Sequence, residues 1–294
     1  MKIFHHNDLD GRCAGALVSY YTDNREPRNF IEVDYVKVPD VNYARNGEDV
    51  FIVDYCFTIE TIYQLKAFLD RGCHVVWIDH HQSSADLLLD ADKSDTGELD
   101  FLKNDRLRVV VDTKLCGAAL TYLYFSYDFG NIMPKFLRYV DDWDRWTKKY
   151  PESYQFKLGM DTIDHSPTNK IWRDLMFDPD VTERILKAGD TIEKYVKAHN
   201  AEYCKQFVFK CIFYDLKCYA LNLRSNSKVF GDLINQCDAV ITFVFNGESY
   251  QYSIYSAKPD VDCAKIAEIY GGGDHKGAAG FETDMLIIDR SDWD

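Results

Sequence analysis

The first half of the chain repeats one pattern, in which a short apolar run of strand length is followed by a longer run with apolar residues at helical spacing. Strands that alternate with helices predict a parallel sheet covered by helices on both faces. In such sheets the active site lies at the carboxyl ends of the strands. The predicted strands are 2–6, 31–38, 50–53, 74–78 and 107–111, and the predicted helices between them are 13–21, 59–69 and 117–125.

The second half of the chain has a different pattern. Residues 133–206 are mostly helical in character, and 181–206, which contain no proline, are predicted to form a long connecting helix. Alternating runs follow, and then a helix at 263–270 that ends in three glycines. We therefore expect an α/β fold with three parts: a parallel-sheet domain at 1–180, a connecting helix at 181–206 and a smaller mixed α/β domain at 207–294.

Composition excludes several classes of protein. The 294 residues include 48 acidic and 34 basic side chains, a formal charge of −14, which argues against binding to long duplex DNA through its phosphates. A short anionic substrate held by a few cations or metal ions stays compatible with this charge. The nine cysteines form no C-x-x-C pair, and no apolar segment is long enough to span a bilayer. We expect a cytoplasmic protein without a membrane partner.

Polar residues follow the predicted strands where the strands end. The first strand runs into Asp8 and Asp10, the third ends at Asp54, and the fourth ends at Asp79-His80-His81. If these strands are neighbours, their acidic groups meet at one edge of the sheet and repel one another unless cations lie between them. Carboxylate and imidazole together suit a divalent ion such as Mn²⁺, and six ligands exceed the number that one open catalytic site uses. The residues themselves therefore favour two ions.

Each of these features also has a simpler interpretation. An aspartate at a strand end is often a helix cap, and Asp54 before Thr58 fits that pattern. A pair of histidines often lies on the surface or in the core without a functional role. The acidic run at 141–144 is also typical of a solvated helix end. The case for a metal site depends on all of these groups falling at predicted strand or helix ends.

The order and spacing of five motifs resemble those of the DHH phosphoesterase superfamily with its associated C-terminal domain. The resemblance extends from the first strand almost to the C-terminus. The motifs are His6-x-Asp8-x-Asp10-Gly11, Asp54, Asp79-His80-His81, Asp142 and the glycine-rich segment 271–281.

The resemblance implies a centre of two Mn²⁺ ions, with Mg²⁺ or Co²⁺ as substitutes. Asp54 then bridges the two ions, Asp79 orients its neighbours by hydrogen bonds, and His81 faces the scissile phosphate as a hydrogen-bond or proton donor. The implied ligands are His6 and Asp8 for one ion, and Asp10, His80 and Asp142 for the other.

The same resemblance assigns the glycine-rich segment to the non-scissile end of the substrate, through His275, Lys276 and the backbone N–H groups of Gly272 and Gly273. Glycines let the backbone approach phosphate oxygens closely, which favours this role over a helix C-cap followed by a turn. This chain departs from the family pattern at Asp274, where a fourth glycine is usual, and at Tyr255, where some relatives carry an arginine.

The function implied is hydrolysis of short oligonucleotides (nano-RNA), linear dinucleotides such as pApA, or 3′-phosphoadenosine 5′-phosphate, by an oligoribonuclease that forms a homodimer. Cyclic dinucleotide phosphodiesterase, RecJ-like exonuclease, polyphosphatase and pyrophosphatase activities stay open as alternatives. The acidic charge argues against the RecJ type, which requires a basic groove. A non-catalytic nucleotide-binding protein, or a structural calcium or magnesium site, would also fit an acidic cluster.

Overall fold

A parallel sheet of five strands forms the centre of the first of two units, Met1–Ile192 and Glu193–Asp294. The computed structural model describes residues 1–34, 36–93, 97–126 and 132–293, but not the side chains of Asp274 and His275. The strands of the first unit are β1 (Lys2–His6), β2 (Phe30–Val33), β3 (Asp49–Val53), β4 (His74–Asp79) and β5 (Leu107–Val111). Their order is β2-β1-β3-β4-β5, so β1, β3 and β4 are neighbours and their carboxyl ends meet at one edge.

Helices cover both faces of this sheet because the strands bury side chains on both sides. Along β1, Ile3 belongs to one hydrophobic core and Phe4 to the other. The helices are α1 (Leu9–Thr22), α2 (Tyr63–Asp70), α3 (Gln82–Lys93), α4 (Gly117–Ser126), α5 (Lys135–Asp144), α6 (Glu152–Met160), α7 (Ile171–Phe177) and α8 (Pro179–Phe207). Short 3₁₀ turns occupy Pro27–Asn29, Val41–Tyr43 and Asp100–Lys103.

The elements differ from the prediction where side chains bond to the local backbone. Strand β2 ends at Val33, five residues early, because the Asp34 carboxylate accepts hydrogen bonds from the N–H groups of Val36 and Lys37 and turns the chain. Helix α3 has no counterpart in the prediction, because its polar residues outnumber its apolar ones and hide the helical period.

The second unit contains a mixed sheet of six strands in the order β10-β11-β9-β8-β7-β6, with β7 and β8 parallel and the other pairs antiparallel. A short helix packs on one face, and a 3₁₀ segment covers Ser227–Gln236. The α/β class with a second, mixed domain is thereby confirmed. The division between the units falls inside α8, between Ile192 and Glu193. The elements are β6 (Phe209–Phe213), β7 (Leu216–Asn222), β8 (Ala239–Phe245), β9 (Tyr250–Tyr255), α9 (Cys263–Glu268), β10 (Gly273–His275) and β11 (Ala278–Thr283).

No helix within the described ranges is both long enough and apolar enough to cross a bilayer.

Candidate metal centre

The first group of site residues lies where β1 passes into α1. His6 is the last residue of β1, Asp8 is the N-cap of α1, and Asp10 lies in its first turn. The Asp8 carboxylate accepts a hydrogen bond from the N–H of Gly11 at 2.9 Å. A Cβ atom at Gly11 would lie 2.4 Å from the His6 carbonyl oxygen, so this tight connection requires glycine.

Asp54 follows β3 directly and has a left-handed backbone, with φ of 54°. Its N–H donates to the carbonyl of Ile78 on the neighbouring strand at 2.8 Å, which holds the turn against β4. The side chain is 1% exposed. Asp and Asn adopt left-handed conformations more readily than most residues, so the sequence at this position suits the turn.

Two clusters of ligand atoms meet at Asp54. In the first, His6 Nδ1 lies 2.8 Å from Asp8 Oδ2 and 4.0 Å from Asp54 Oδ2. In the second, His80 Nε2 lies 3.2 Å from Asp54 Oδ1, 3.2 Å from Asp144 Oδ2 and 3.8 Å from Asp10 Oδ2. Each cluster offers one aspartate oxygen of Asp54 with a histidine nitrogen and further carboxylates, which is the arrangement of two ions with one shared ligand.

The buried carboxylate oxygens of the two clusters indicate whether cations fit this site. Both oxygens of Asp54, Oδ2 of Asp144 and Oδ2 of Asp142 are buried and make no hydrogen bond within the described residues. Burial raises the pKa of Asp54 and of Asp144 well above the usual range, and the neighbouring Asp10 and Asp8 raise both further. Oxygen atoms that are buried, unpartnered and mutually repulsive are stabilised by a divalent cation, so the residues present fit a two-ion centre.

Asp10 is held by the start of α4. The N–H groups of Gly117 and Ala118 donate to its two oxygens at 2.7 and 2.8 Å, as the N-terminus of a helix does for an anion. A Cβ atom at Gly117 would lie 2.6 Å from the Asp54 Cβ and 3.0 Å from Asp10 Oδ2. The sequence analysis placed a helix start at Gly117 but did not link it to the site, because contacts between distant segments leave no local signal.

The structure places Asp144, and not Asp142, in the second cluster. Asp142 is 2% exposed, and its Oδ1 accepts hydrogen bonds from the Thr147 hydroxyl and the Lys149 N–H, each at 2.6 Å. It therefore fixes the chain after α5. Asp144 is the last residue of α5, one turn after the buried Val140, and that i, i+4 spacing is the signal by which the sequence could have indicated it.

Asp79 and His81 form a pair beside the clusters. Asp79 is fully buried, its Oδ1 lies 2.7 Å from His81 Nδ1, and its Oδ2 accepts a hydrogen bond from the Ser84 hydroxyl. Burial lowers the pKa of His81, but the hydrogen bond with Asp79 and the negative charges of Asp79, Asp10 and Asp8 together outweigh burial, so the pKa is raised overall. His81 also has a ring nitrogen close to ligand atoms of Asp54 and His80, so His81 lies at the centre itself.

The histidine before the motif, His5, points away from the centre. It is 1% exposed, and burial lowers its pKa. A Cβ atom at Gly15 of α1 would lie 3.4 Å from its ring. His5 therefore packs under α1 as a core histidine.

The glycine-rich segment lies in the second unit. The N–H of Gly272 donates to the carbonyl of Ala267 at 3.0 Å, and a Cβ atom there would lie 2.1 Å from the Gly280 carbonyl oxygen, so Gly272 caps α9 and packs against β11. Gly273 has open space around it, and Lys276 is exposed. The side chain of His275 lies outside the described residues. Substrate contacts of Gly272, Gly273, His275 and Lys276 stay predictions.

Comparison with known sequences gives one distant relative and no family, because no family model matches the chain. An uncharacterized protein of Acanthamoeba polyphaga mimivirus, R106, is 26% identical over 211 residues, which are 67% of this chain and 48% of that protein. The chain thus spans about half the length of the curated relative it matches.

Comparison with solved structures gives the fold. A pGpG-specific phosphodiesterase from Vibrio cholerae, PggH, superposes with a TM-score of 0.53 at 12% identity, over 97% of this chain and 93% of that one. The DHH domain of a protein assigned to a family of ribosomal proteins superposes with a TM-score of 0.53 at 18% identity, over 95% of this chain and 81% of that one. Identities this low establish the fold alone, and the predicted nano-RNase branch stays a prediction. The chain therefore has the fold of the DHH-domain proteins, with Asp79, His80 and His81 matching the DHH motif at the end of β4.

Proposed function

We propose that this protein is a metal-dependent phosphoric ester hydrolase of the DHH phosphoesterase superfamily. Its substrates are short oligonucleotides, linear dinucleotides such as pApA, or 3′-phosphoadenosine 5′-phosphate. The observation that carries the proposal is Asp54, whose two buried oxygens face two separate ligand clusters and make no hydrogen bond among the described residues. A hydrogen-bonded aspartate with only a structural role would not leave both oxygens unpartnered.

The ligands of the two ions follow from the clusters. His6, Asp8 and Asp54 would hold one ion, and Asp10, Asp54, His80 and Asp144 would hold the other. We replace Asp142 by Asp144 in this set, because Asp142 bonds to Thr147 and Lys149 instead. Imidazole and carboxylate ligands in this mixture suit Mn²⁺.

The chain's own residues prepare the rest of the reaction. Two divalent ions supply Lewis-acid stabilisation of the phosphoryl oxygens and lower the pKa of water. Asp79 forms a hydrogen bond with Nδ1 of His81. Nε2 is therefore the ring nitrogen that can donate a proton to the oxygen of the leaving group. The raised pKa of His81 favours the ring with both nitrogens protonated, which a proton donor at Nε2 requires.

The charge of the chain supports a short substrate. At a net charge of −14, a long polyanion is repelled by the surface, whereas one scissile phosphate between two cations is not. The fold shared with the pGpG-specific phosphodiesterase supports a linear dinucleotide.

The test is hydrolysis of a 5′-labelled RNA ladder, from two to about two dozen nucleotides, with and without Mn²⁺; the upper length exceeds the site of a single binding fold. We expect cleavage to be concentrated on the shortest members, to require Mn²⁺ and to be lost in Asp54→Asn. The matched control is Asp49→Asn, which changes an exposed aspartate at the start of the same strand and should leave the activity unchanged.

Each of the other outcomes of this assay indicates a different function. Equal cleavage of long strands indicates a RecJ-like exonuclease. A wild-type protein that leaves the ladder intact but cleaves cyclic di-AMP or polyphosphate has a different substrate. Failure on every phosphate ester in the presence of Mn²⁺ refutes the proposal and leaves a binding protein.

A further inference from the structure

A cavity of about 270 Å³ opens beside the metal centre within the first unit. Three residues of the centre line it, together with an arginine, an indole and an imidazole that the proposed chemistry has not used, and with the ion pair of Lys157 and Asp161. The lining residues that matter here are Asp8, Asp10, Asp144, Arg12, Trp143 and His165.

Arg12 is a cation held in a fixed position. Its Nε donates to Glu32 Oε1 at 2.9 Å, its Nη2 forms an ion pair with the same oxygen at 2.9 Å, and its Nη1 lies 3.2 Å from His165 Nε2. These hydrogen bonds use two of the five N–H groups that a guanidinium carries, so further N–H groups stay available for a ligand. An arginine anchored at both ends and directed into a cavity is prepared to bind an anion with little loss of conformational entropy.

His165 helps to hold the Arg12 guanidinium in place. Because Arg12 can only donate, His165 Nε2 must accept, and the proton then lies on Nδ1, which is 2.9 Å from the Ile163 carbonyl oxygen. The indole N–H of Trp172 also donates to the His165 carbonyl. The ring therefore has a fixed orientation and holds the guanidinium beside the cavity.

Trp143 gives the cavity an aromatic surface. Its ring stacks on Tyr154 with centroids 5.3 Å apart and planes at 21°, and it forms an edge-to-face pair with Trp146 with centroids 4.8 Å apart. The indole is thus supported by its neighbours while it lines the cavity. A supported aromatic ring beside a fixed cation favours a nucleotide over inorganic polyphosphate, because bases stack on aromatic faces.

Arg12 lies one turn beyond Asp8 on α1, because its N–H donates to the carbonyl of Asp8 at 3.1 Å; its backbone is about 6 Å further along the helix axis. Its guanidinium is held by Glu32 and His165. An anion bound there would be a second group of the same substrate, next to the scissile phosphate.

We propose that this cavity binds a nucleotide next to the scissile bond, with its phosphate on Arg12 and its base against Trp143. This inference rests on the proposed function. It names the nucleotide as the part of the substrate by which the protein distinguishes that substrate from a simple phosphate ester. Arg12 is then a specificity-determining residue, and His165 and Glu32 are positioning residues.

The experiment compares two substrates in Mn²⁺: pApA, which has a second phosphate and two bases, and bis(p-nitrophenyl) phosphate, which has neither. For Arg12→Gln we expect a KM for pApA that is raised about tenfold or more, the loss of one charge-assisted pair, and a much smaller change in KM for the aryl ester. For Arg12→Lys, which keeps the positive charge but loses the planar guanidinium, the KM for pApA should lie between the values of the wild type and Arg12→Gln. The matched control is Arg28→Gln, an exposed arginine that lies outside the cavity.

The outcomes distinguish failure of this inference from failure of the proposed function. Equal losses on both substrates, or an Arg12→Gln variant that behaves like Arg28→Gln, overturn the inference and leave the proposed function standing. If the wild type hydrolyses neither substrate, the proposed function fails, and calorimetric binding of 5′-AMP in Mn²⁺ tests the cavity by itself. Weaker binding of 5′-AMP to Arg12→Gln than to the wild type then supports the inference, and equal binding overturns it. Inorganic phosphate that binds the wild type as tightly as 5′-AMP overturns the role of Trp143.

Discussion

Replacing Asp54 by Asn should reverse the order of stability between variant and wild type when metal is added. Without metal, Asp54 is a buried carboxyl group with an oxygen within 4.8 Å of the Asp8 carboxylate. Two unit charges at that distance repel by about 3.5 kcal/mol at an effective dielectric constant of about 20. The carboxyl lowers this repulsion by holding a proton, since its pKa is raised, so the energy recovered by Asn is smaller.

We expect Asp54→Asn to stabilise the metal-free protein by about 2 kcal/mol, which corresponds to a rise in Tm of about 4–8 °C for a unit of this size. The amide also donates hydrogen bonds to the neighbouring carboxylates, and Asn tolerates the left-handed backbone at this position. With Mn²⁺ at 100 times its Kd, the wild type gains about 2.7 kcal/mol, whereas the variant gains little because it has lost the shared ligand.

The pH dependence gives this prediction a second check. A carboxyl whose pKa is raised by folding contributes stability at low pH, which is lost as the pH rises from its ordinary value of 3.8 through the raised value. The advantage of Asp54→Asn in EDTA should therefore be small in acid and increase with pH.

The assay is thermal unfolding of wild type, Asp54→Asn and the control Asp49→Asn, in EDTA and in Mn²⁺, at several pH values. An Asp54→Asn protein that melts below the wild type in EDTA would contradict the electrostatic argument. A variant that gains as much Tm from Mn²⁺ as the wild type would remove Asp54 from the ligand set.

Further predictions concern the neighbours of Asp54. Asp144→Asn should weaken Mn²⁺ binding and abolish hydrolysis, whereas Asp142→Asn should retain both and lose about 1–3 kcal/mol of unfolding free energy, because it disturbs buried hydrogen bonds; calorimetry and denaturant unfolding of the two variants decide between the two aspartates. Gly117→Ala should abolish Mn²⁺ binding, since its methyl group would enter the space of Asp54 and Asp10, and wild-type affinity in that variant would refute the packing argument. The affinity for Mn²⁺ should rise with pH in the weakly acidic range, because Asp54 and Asp144 have raised pKa values and lose protons when they bind metal; calorimetry in buffers of different ionisation enthalpy measures those protons. His81→Gln should lower kcat on pApA by about a hundredfold or more while retaining Mn²⁺ binding, and an unchanged kcat would exclude His81 as a proton donor.

The sheet and most of the site's components were determined by local sequence. Strand β1 and strand β5 have the predicted bounds; Ile3 and Phe4 of β1 are buried on opposite faces of the sheet, whereas β5 is an edge strand whose residues are half-buried or exposed. His6, Asp8, Asp10, Asp54 and His80 follow strands whose ends must share an edge once the strands are parallel. The carboxylates and imidazoles could therefore be assigned to one place from their positions along the chain.

The tertiary structure decided which atoms face one another. Whether Asp142 or Asp144 reaches His80 depends on the phase of α5 and on the bonds that Thr147 and Lys149 make, and neither is encoded in the acidic run itself. The need for glycine at 117 and the anchoring of Arg12 by His165 arise from contacts between segments that lie far apart in sequence. Local propensity sets the elements of this chain, but the distances that create a metal centre are set by packing between elements, because side-chain positions depend on contacts that no single segment contains.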